Sequence, residues 1–286
     1  MKSYLRHWLL FVITINAIIY NVNASAQDHL TLGIHPYKSP EKLIKAYTPL
    51  AKYLSREIGI PVKISISRDY KIHIENIGMN RLDIAYMGPA SYIKLVDLYG
   101  QKPLLACQAI NGKATFQGKI IAREDSKLVA LDQLTGMRFA FGDQRSTMSH
   151  LVPRYMLWKE GVDVKKLKTY KFLGSHDNVA LSVLSGDYDA GAVKEAVFYK
   201  YQGRGLKVIK STPALSEHLF VTSSNLDPAL IKKLRQAFLT LDKDSNGIKI
   251  MSSIKPGMTS MEAVDDSKYN NLREIIQTLK QIGVEI

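Results

Sequence analysis

The chain has 286 residues, is 46% hydrophobic and 23% charged, and carries a formal charge of +13. That much apolar material supports a sizeable core, in one large domain or two lobes, and excludes intrinsic disorder. A basic balance favours anionic partners, but the Lys and Arg residues are spread along the chain and form no basic helix with interleaved aromatics, so nucleic acid is not an expected partner.

The first 26 residues open with Lys2 and Arg6, run apolar from Trp8 to Tyr20, and end on Ala24, Ser25 and Ala26. This is the order of a secretory signal, with cleavage expected after Ala26 and a mature, exported chain starting at Gln27. The apolar run has 13 residues and contains Asn16, short of the roughly 20 needed to span a bilayer. Cleavage removes Lys2 and Arg6 and lowers the charge by two. The single Cys, Cys107 in "PLLACQAI", allows no internal disulfide and reads as a buried strand residue.

Beyond the signal, "HLTLGIH" and "PVKISIS" read as strands flanking a helix in "SPEKLIKAYTPLAKYLSREIG". Ser39 and Pro40 supply its start, and Leu43, Tyr47, Leu50, Ala51 and Leu54 recur at helical spacing. Helical "YKIHIENIGMN", strand "LDIAYM", helical "PASYIKLVDLYG" and strand "PLLACQAI" continue the alternation. After "NGKATFQG" a second series opens with strand "KIIAR", short helix "ALDQLTG", strand "MRFAFGD", helix "LVPRYMLWKEG" and strand "KTYKFLG". Strands "GLKVIKS" and "HLFVTSS" then lead to helices in "DPALIKKLRQAFLTLD" and "KYNNLREIIQTLKQIG". Short apolar strands alternating with helices predict α/β sheets covered on both faces. "NRLDIAYMGPASYIK" and "GDYDAGAVKEAVFYK" echo each other, each placing an Asp before a small apolar strand and a Tyr-containing helix. That echo fits two lobes on similar units. No low-complexity linker divides them, so the chain is expected to cross along extended segments near residues 111–118 and 212–220, with 27–112 plus 218–286 as one lobe and 113–217 as the other.

Polar residues gather where strands give way to helices. In "MRFAFGDQRSTMSHLVPRYML" a strand ends at Phe141, Gly142 allows a tight turn, and a helix is expected to start near Ser149 with Pro153 in its first turn. First-turn amides joined by Ser146, Thr147 and Ser149 suit a phosphate-like oxyanion; the same hydroxyls serve equally to cap the helix. At "GSHDNVALSVLSG" Ser175 or Asp177 caps the next helix and His176 stands at the boundary, while in "YMGPASY" Gly88 and Pro89 turn the chain ahead of Ser91. Ligands of open α/β sheets gather at such junctions. Enzyme signatures are missing: there is no G-x-S-x-G elbow, no motif-placed Asp to orient His150, and no phosphate-binding P-loop. Asp242, Asp244, Asn246 and Gly247 occupy calcium-loop positions, but Ser253 stands where the bidentate Glu belongs. That stretch reads as a solvated helix-to-helix loop, no zinc spacing occurs among the His residues, and no metal or cofactor is expected.

"AYMGPASY", "FGDQRSTMSHLVPRYML" and "GSHDNVALSVLSGDYDAG" together resemble the periplasmic substrate-binding proteins of phosphate, phosphite and phosphonate ABC transporters. The resemblance covers nearly the whole mature chain. It implies a two-lobed type 2 periplasmic binding fold, each lobe a mixed sheet flanked by helices, closing on a small anionic ligand that is passed to an ABC permease. On the residues it implies that Ser146, Thr147 and Ser149, with His176 and Ser91, hold the oxyanion. Tyr86 lines the cleft, with Tyr37, His150, Asp177, Asp189 and Glu195 as further candidates for its lining. Family members that take aminophosphonates set acidic side chains against the amine, and Asp189 and Glu195, with Lys194 between them, match those positions only loosely. Glu217 and His218 stand where smaller residues are expected. The alternative function is a periplasmic ligand-sensing module for a membrane sensor kinase or cyclase; a hydrolase using His150 or His176 is a third reading.

Overall fold

The computed structural model describes residues 28–285, so the signal segment and its cleavage site lie outside the described residues. The larger sheet opens with β1 (Leu30–Ile34), α1 (Pro40–Ile58), β2 (Val62–Ile66), α2 (Tyr70–Gly78), β3 (Ile84–Met87), α3 (Pro89–Tyr99) and β4 (Leu104–Ile110). A short strand, β5 (Thr115–Phe116), leads to β6 (Gly118–Arg123), β7 (Arg138–Phe141), α4 (Val152–Lys159), β8 (Thr169–Phe172), α5 (His176–Leu184), β9 (Ala190–Lys194), α6 (Glu195–Tyr201) and β10 (Leu206–Ser211). The chain returns through β11 (Leu215–Ser216) to β12 (Leu219–Thr222), α7 (Pro228–Leu239), α8 (Gly247–Ile254), β13 (Met258–Glu262) and α9 (Asn270–Gln281).

The strands form a six-stranded sheet, β13-β4-β12-β3-β1-β2, and a five-stranded sheet, β10-β6-β9-β7-β8. Each is mixed: β1 is parallel to β2 and β3 while β12 runs against β3 and β4, and β7 is parallel to β8 and β9 while β6 runs against β9 and β10. The chain passes between the sheets twice, and β5 and β11 pair antiparallel on those passages, Phe116 opposite Leu215. This ribbon is the covalent connection of a two-lobed α/β fold.

Period-two alternation fills both faces of each sheet. In β3, Ile84 and Tyr86 join the core under α1, α7 and α8, while Ala85 and Met87 join the one under α2, α3 and α9. In β7, Phe139 and Phe141 face one way and Ala140 the other, toward α5. α1 packs with Leu43, Tyr47, Leu50 and Leu54, all fully buried. A fully buried side chain of this size contributes about 1.5–3 kcal/mol. Gly59, at φ 77°, ends the helix in the left-handed conformation.

The echoed segments share a structural task. Asp83 accepts the backbone N–H of Thr31 at 2.7 Å, and Asp189 accepts that of Arg138 at 2.8 Å. Each carboxylate thus ties the start of one central parallel strand to the start of its neighbour.

Two sequence expectations are corrected. Residues expected as a solvated loop contain α8, which buries Ile250, Met251 and Ile254; this i, i+1, i+4 stripe outweighs the turn-forming Asp, Ser and Asn residues before it. The helix expected near Ser149 opens instead as a π turn, Thr147–Leu151, with α4 following from Val152. Pro153 has no N–H to give the Ser149 carbonyl, and the Gly142 N–H takes that carbonyl at 3.1 Å.

Candidate functional site

The C-terminal ends of the central strands of both sheets face one cavity of about 480 Å³. From the larger lobe it is bordered by the segment after β1 (His35, Tyr37, Lys38), Tyr70 at the start of α2, Tyr86 in β3 and the first turn of α3 through Ser91. The smaller lobe supplies Arg145, Ser146, Thr147 and Met148 after β7, Gly174 to Asp177 after β8, and Lys194 at the end of β9. His218 and Lys255 close it from the returning chain.

The oxyanion candidates divide. Ser146 caps the π turn, its Oγ accepting the Ser149 N–H at 3.1 Å, and its own proton is left to donate into the cavity. Thr147 is 8% exposed and borders the cavity, and no bond from its hydroxyl to another protein group is found among the described residues. A helix start leaves its first N–H groups without intrahelical partners, here those of Thr147 and Met148. His176 stands in the first turn of α5, which Ser175 caps through the Asn178 N–H. Its Nδ1 accepts the Lys194 N–H at 3.1 Å, so the neutral ring carries its proton on Nε2. Burial, and then the Lys194 charge, push the His176 pKa down to about 3. Ser91, buried in the first turn of α3, borders the same space.

Ser149 is a correction. Its hydroxyl donates to the Ala192 carbonyl at 2.5 Å, fully buried, and sits so close under Gly142 that a Cβ there would lie 2.4 Å from Oγ. The π turn rotates this side chain away from the cavity and pins the turn to β9.

Of the lining candidates, Tyr86, Tyr37 and Asp177 border the cavity. Tyr86 stacks between His35 and His218, with ring centroids 5.2 and 5.4 Å away, and donates its hydroxyl to Gln108 at 3.0 Å. Tyr37 meets the Tyr47 hydroxyl at 3.1 Å. Asp177 is taken up by Lys200 and Tyr201.

The other three do not border it. His150 is buried edge-on against Phe141 and Phe172 with Nδ1 on the Gln144 carbonyl, because the π turn directs it inward. Asp189 stands at the opposite end of β9, forked onto Arg138. Glu195 follows Lys194 as the first residue of α6, and of the two only Lys194, the last residue of β9, borders the space.

The sequence reading assigned no role to several residues at the site: His35, Lys38, Tyr70, Arg145, Lys194 and Lys255. His35 and Lys194 stand at strand ends, the position where ligands gather in such sheets, so that signal was present. Lys194 is pushed down to about 8 by burial and by Lys255. Four cations, Lys38, Arg145, Lys194 and Lys255, thus border a cavity that also receives the starts of α3, the π turn and α5, an arrangement suited to an anion.

Comparisons with known proteins bear on the family and the fold. The relatives include the phosphate-import protein PhnD of Mycolicibacterium smegmatis, 29% identical over 229 residues, 74% of this chain and 71% of that one. A probable ABC transporter phosphite binding protein, PhnD1 of Prochlorococcus marinus, is 25% identical over 88% of this chain and 90% of its own. The crystal structure of PhnD1 from Prochlorococcus marinus in complex with methylphosphonate superposes with a TM-score of 0.76 at 24% identity, covering 88% of this chain and 98% of that one. A binding protein component of an ABC phosphonate transporter from Pseudomonas aeruginosa gives 0.73 at 25% identity, covering 89% and 87%. The model of the family described as "ABC transporter, phosphonate, periplasmic substrate-binding protein" matches residues 32–269, and the chain belongs to that family.

Proposed function

We propose that the protein captures a small phosphonate-, phosphite- or phosphate-class oxyanion between its lobes and delivers it to an ABC permease. The carrying observation is the convergence of Thr147 and Ser146 hydroxyls, first-turn amides and His176 on one cation-bordered cavity. In this reading the lobes are residues 27–112 with 218–286, and 113–217, hinged at the β5–β11 ribbon, and Ser91, Tyr86 and Tyr37 complete the wall. The exported form begins at Gln27 after cleavage behind Ala26. In this reading the protein holds its ligand without turning it over, which is supported by the burial of His150 in the core. Native mass spectrometry of protein purified without refolding, followed by calorimetric titration with phosphite, methylphosphonate and phosphate, tests the reading. Saturable binding of at least one anion is expected, and no heat of binding with any of the three would refute it.

A further inference from the structure

The cleft histidines are held in opposite tautomers. His176 Nδ1 accepts a backbone N–H, so its Nε2 is a donor. His218 Nδ1 faces the Glu217 carboxylate at 2.9 Å. An ionised carboxylate only accepts, so Nδ1 carries the proton and Nε2 holds a lone pair. His35 repeats the pattern, with Nδ1 on the Tyr86 carbonyl at 3.0 Å. All three rings border the same cavity, and His218 Nε2 would lie 3.5 Å from a Cβ built on Gly88 at the turn into α3. The smaller lobe therefore offers a ring donor, His176 Nε2, while His35 and His218 present ring lone pairs to the same cavity.

The carboxylate that sets the His218 tautomer is locked. Glu217 is 1% exposed and receives Gln108 Nε2 at 2.9 Å, the His218 N–H at 3.1 Å, His218 Nδ1 at 2.9 Å and Lys255 Nζ at 2.8 Å. Gln108 is oriented in turn by the Tyr86 hydroxyl. Burial alone would raise the Glu217 pKa, but His218, Lys255 and Lys194 hold it well below the usual carboxylate range. The carboxylates among the described residues that border the cavity are Asp143, exposed and accepting the Arg145 N–H at 2.8 Å, and Asp177, held by Lys200. A ligand ammonium group would meet four cations here and no unpaired buried carboxylate.

We propose that the cleft binds its oxyanion together with one proton, shared between a ligand oxygen and His218 Nε2, and so selects a P–OH-bearing anion without an amino group. The inference rests on the reading above that an oxyanion occupies this cavity, and Glu217 acts in it as a positioning residue through His218. The charged and titratable groups facing His218 are Glu217 beside it, Lys255 after α8, Lys194 at the end of β9, His35 after β1 and Tyr86 in β3. Burial and the two ammonium groups keep the free ring neutral, with its pKa lowered despite Glu217. The proton must then arrive with the ligand or with its binding. Phosphonic and phosphorous acids hold a second proton near neutrality; sulfonates hold none there.

The test is calorimetric titration of the mature chain with phosphite and methylphosphonate from about pH 5.5 to about pH 9, in two buffers of different ionisation enthalpy. Affinity should be level below the second pKa of the ligand and fall about tenfold per pH unit above it, with one proton taken up. Methanesulfonate and 2-aminoethylphosphonate should bind roughly tenfold or more weakly at neutral pH than methylphosphonate. The His218→Gln protein, whose amide either donates or accepts, should lose the slope between the second pKa of the ligand and about pH 8, keeping only the fall that loss of the Lys194 charge causes above it. In Glu217→Gln an amide N–H can face Nδ1, turn the ring to its Nε2–H form and shift preference toward methanesulfonate; if that protein does not fold, the wild-type and His218→Gln titrations decide. A level wild-type affinity up to about pH 8 without proton uptake, or a slope retained below about pH 8 in His218→Gln, overturns the proposal and leaves oxyanion binding standing. Failure of every anion to bind at any pH overturns both.

Discussion

Replacing Thr147 by Val removes one hydroxyl and keeps the branched shape. In the structure this hydroxyl holds no other part of the protein together, stands 8% exposed in the first turn of the π segment, and borders the cavity. A hydrogen bond to a charged partner contributes about 1.5–3 kcal/mol, so the substitution should weaken binding of the preferred oxyanion roughly 10-fold to 150-fold. Stability of the unliganded protein should change by less than about 0.5 kcal/mol, because no internal bond is broken. Calorimetric titration paired with a thermal melt reads both quantities on one preparation. Affinity within about twofold of wild type would refute the assignment of Thr147 as an oxyanion donor, since a loss that small lies below the worth of any charged hydrogen bond.

Ser149→Ala should do the reverse, lowering stability by about 1–3 kcal/mol because the buried Ala192 carbonyl loses its donor, with a melt as the measurement. Asp189→Asn should leave affinity unchanged, as the residue stands at the far end of β9. Its carboxylate is held below the usual range first by the Arg138 hydrogen bond, so its stabilisation is present above the unfolded pKa and lost as pH falls through the folded one. The melting difference between wild type and Asp189→Asn should therefore be present at neutral pH and disappear in strong acid. Ligand binding should draw the lobes together about the β5–β11 ribbon, and small-angle scattering should give a smaller radius of gyration with ligand; an unchanged profile at saturation would count against closure.

Much of the candidate site was legible because several residues that border the cavity are local to one another. Ser146, Thr147 and His176 belong to strand-to-helix junctions, where the residue types, the turn and the first-turn amides are neighbours in the chain. Asp189 and Glu195 misled for the complementary reason: they lie near Lys194 in sequence, but five residues of strand carry Asp189 to the other end of the sheet, and Glu195 opens α6 beyond the strand end that brings Lys194 to the cavity. The echo between residues 80–94 and 186–200 was visible as a pattern, whereas its meaning, two carboxylates tying strand starts together, needed the partners Thr31 and Arg138, about 50 residues away in each case.

Alternation of short apolar strands with amphipathic helices determined the α/β class by itself, since period and length are properties of contiguous residues. The same holds for Cys107, whose apolar strand buries it and pushes its thiol up to about 12. Tertiary structure alone decided where the Ser149 hydroxyl goes, because the Ala192 carbonyl that accepts it stands on β9, 43 residues along the chain. It alone brought His35, Tyr70, Lys194, His218 and Lys255, which come from five separate segments, to one cavity. Glu217 and His218 are adjacent in the chain, but Gln108 and Lys255 reach the carboxylate only after the sheet has formed and α8 has packed on it. A hydrogen-bond tautomer is fixed by such distant partners, and no local pattern carries it.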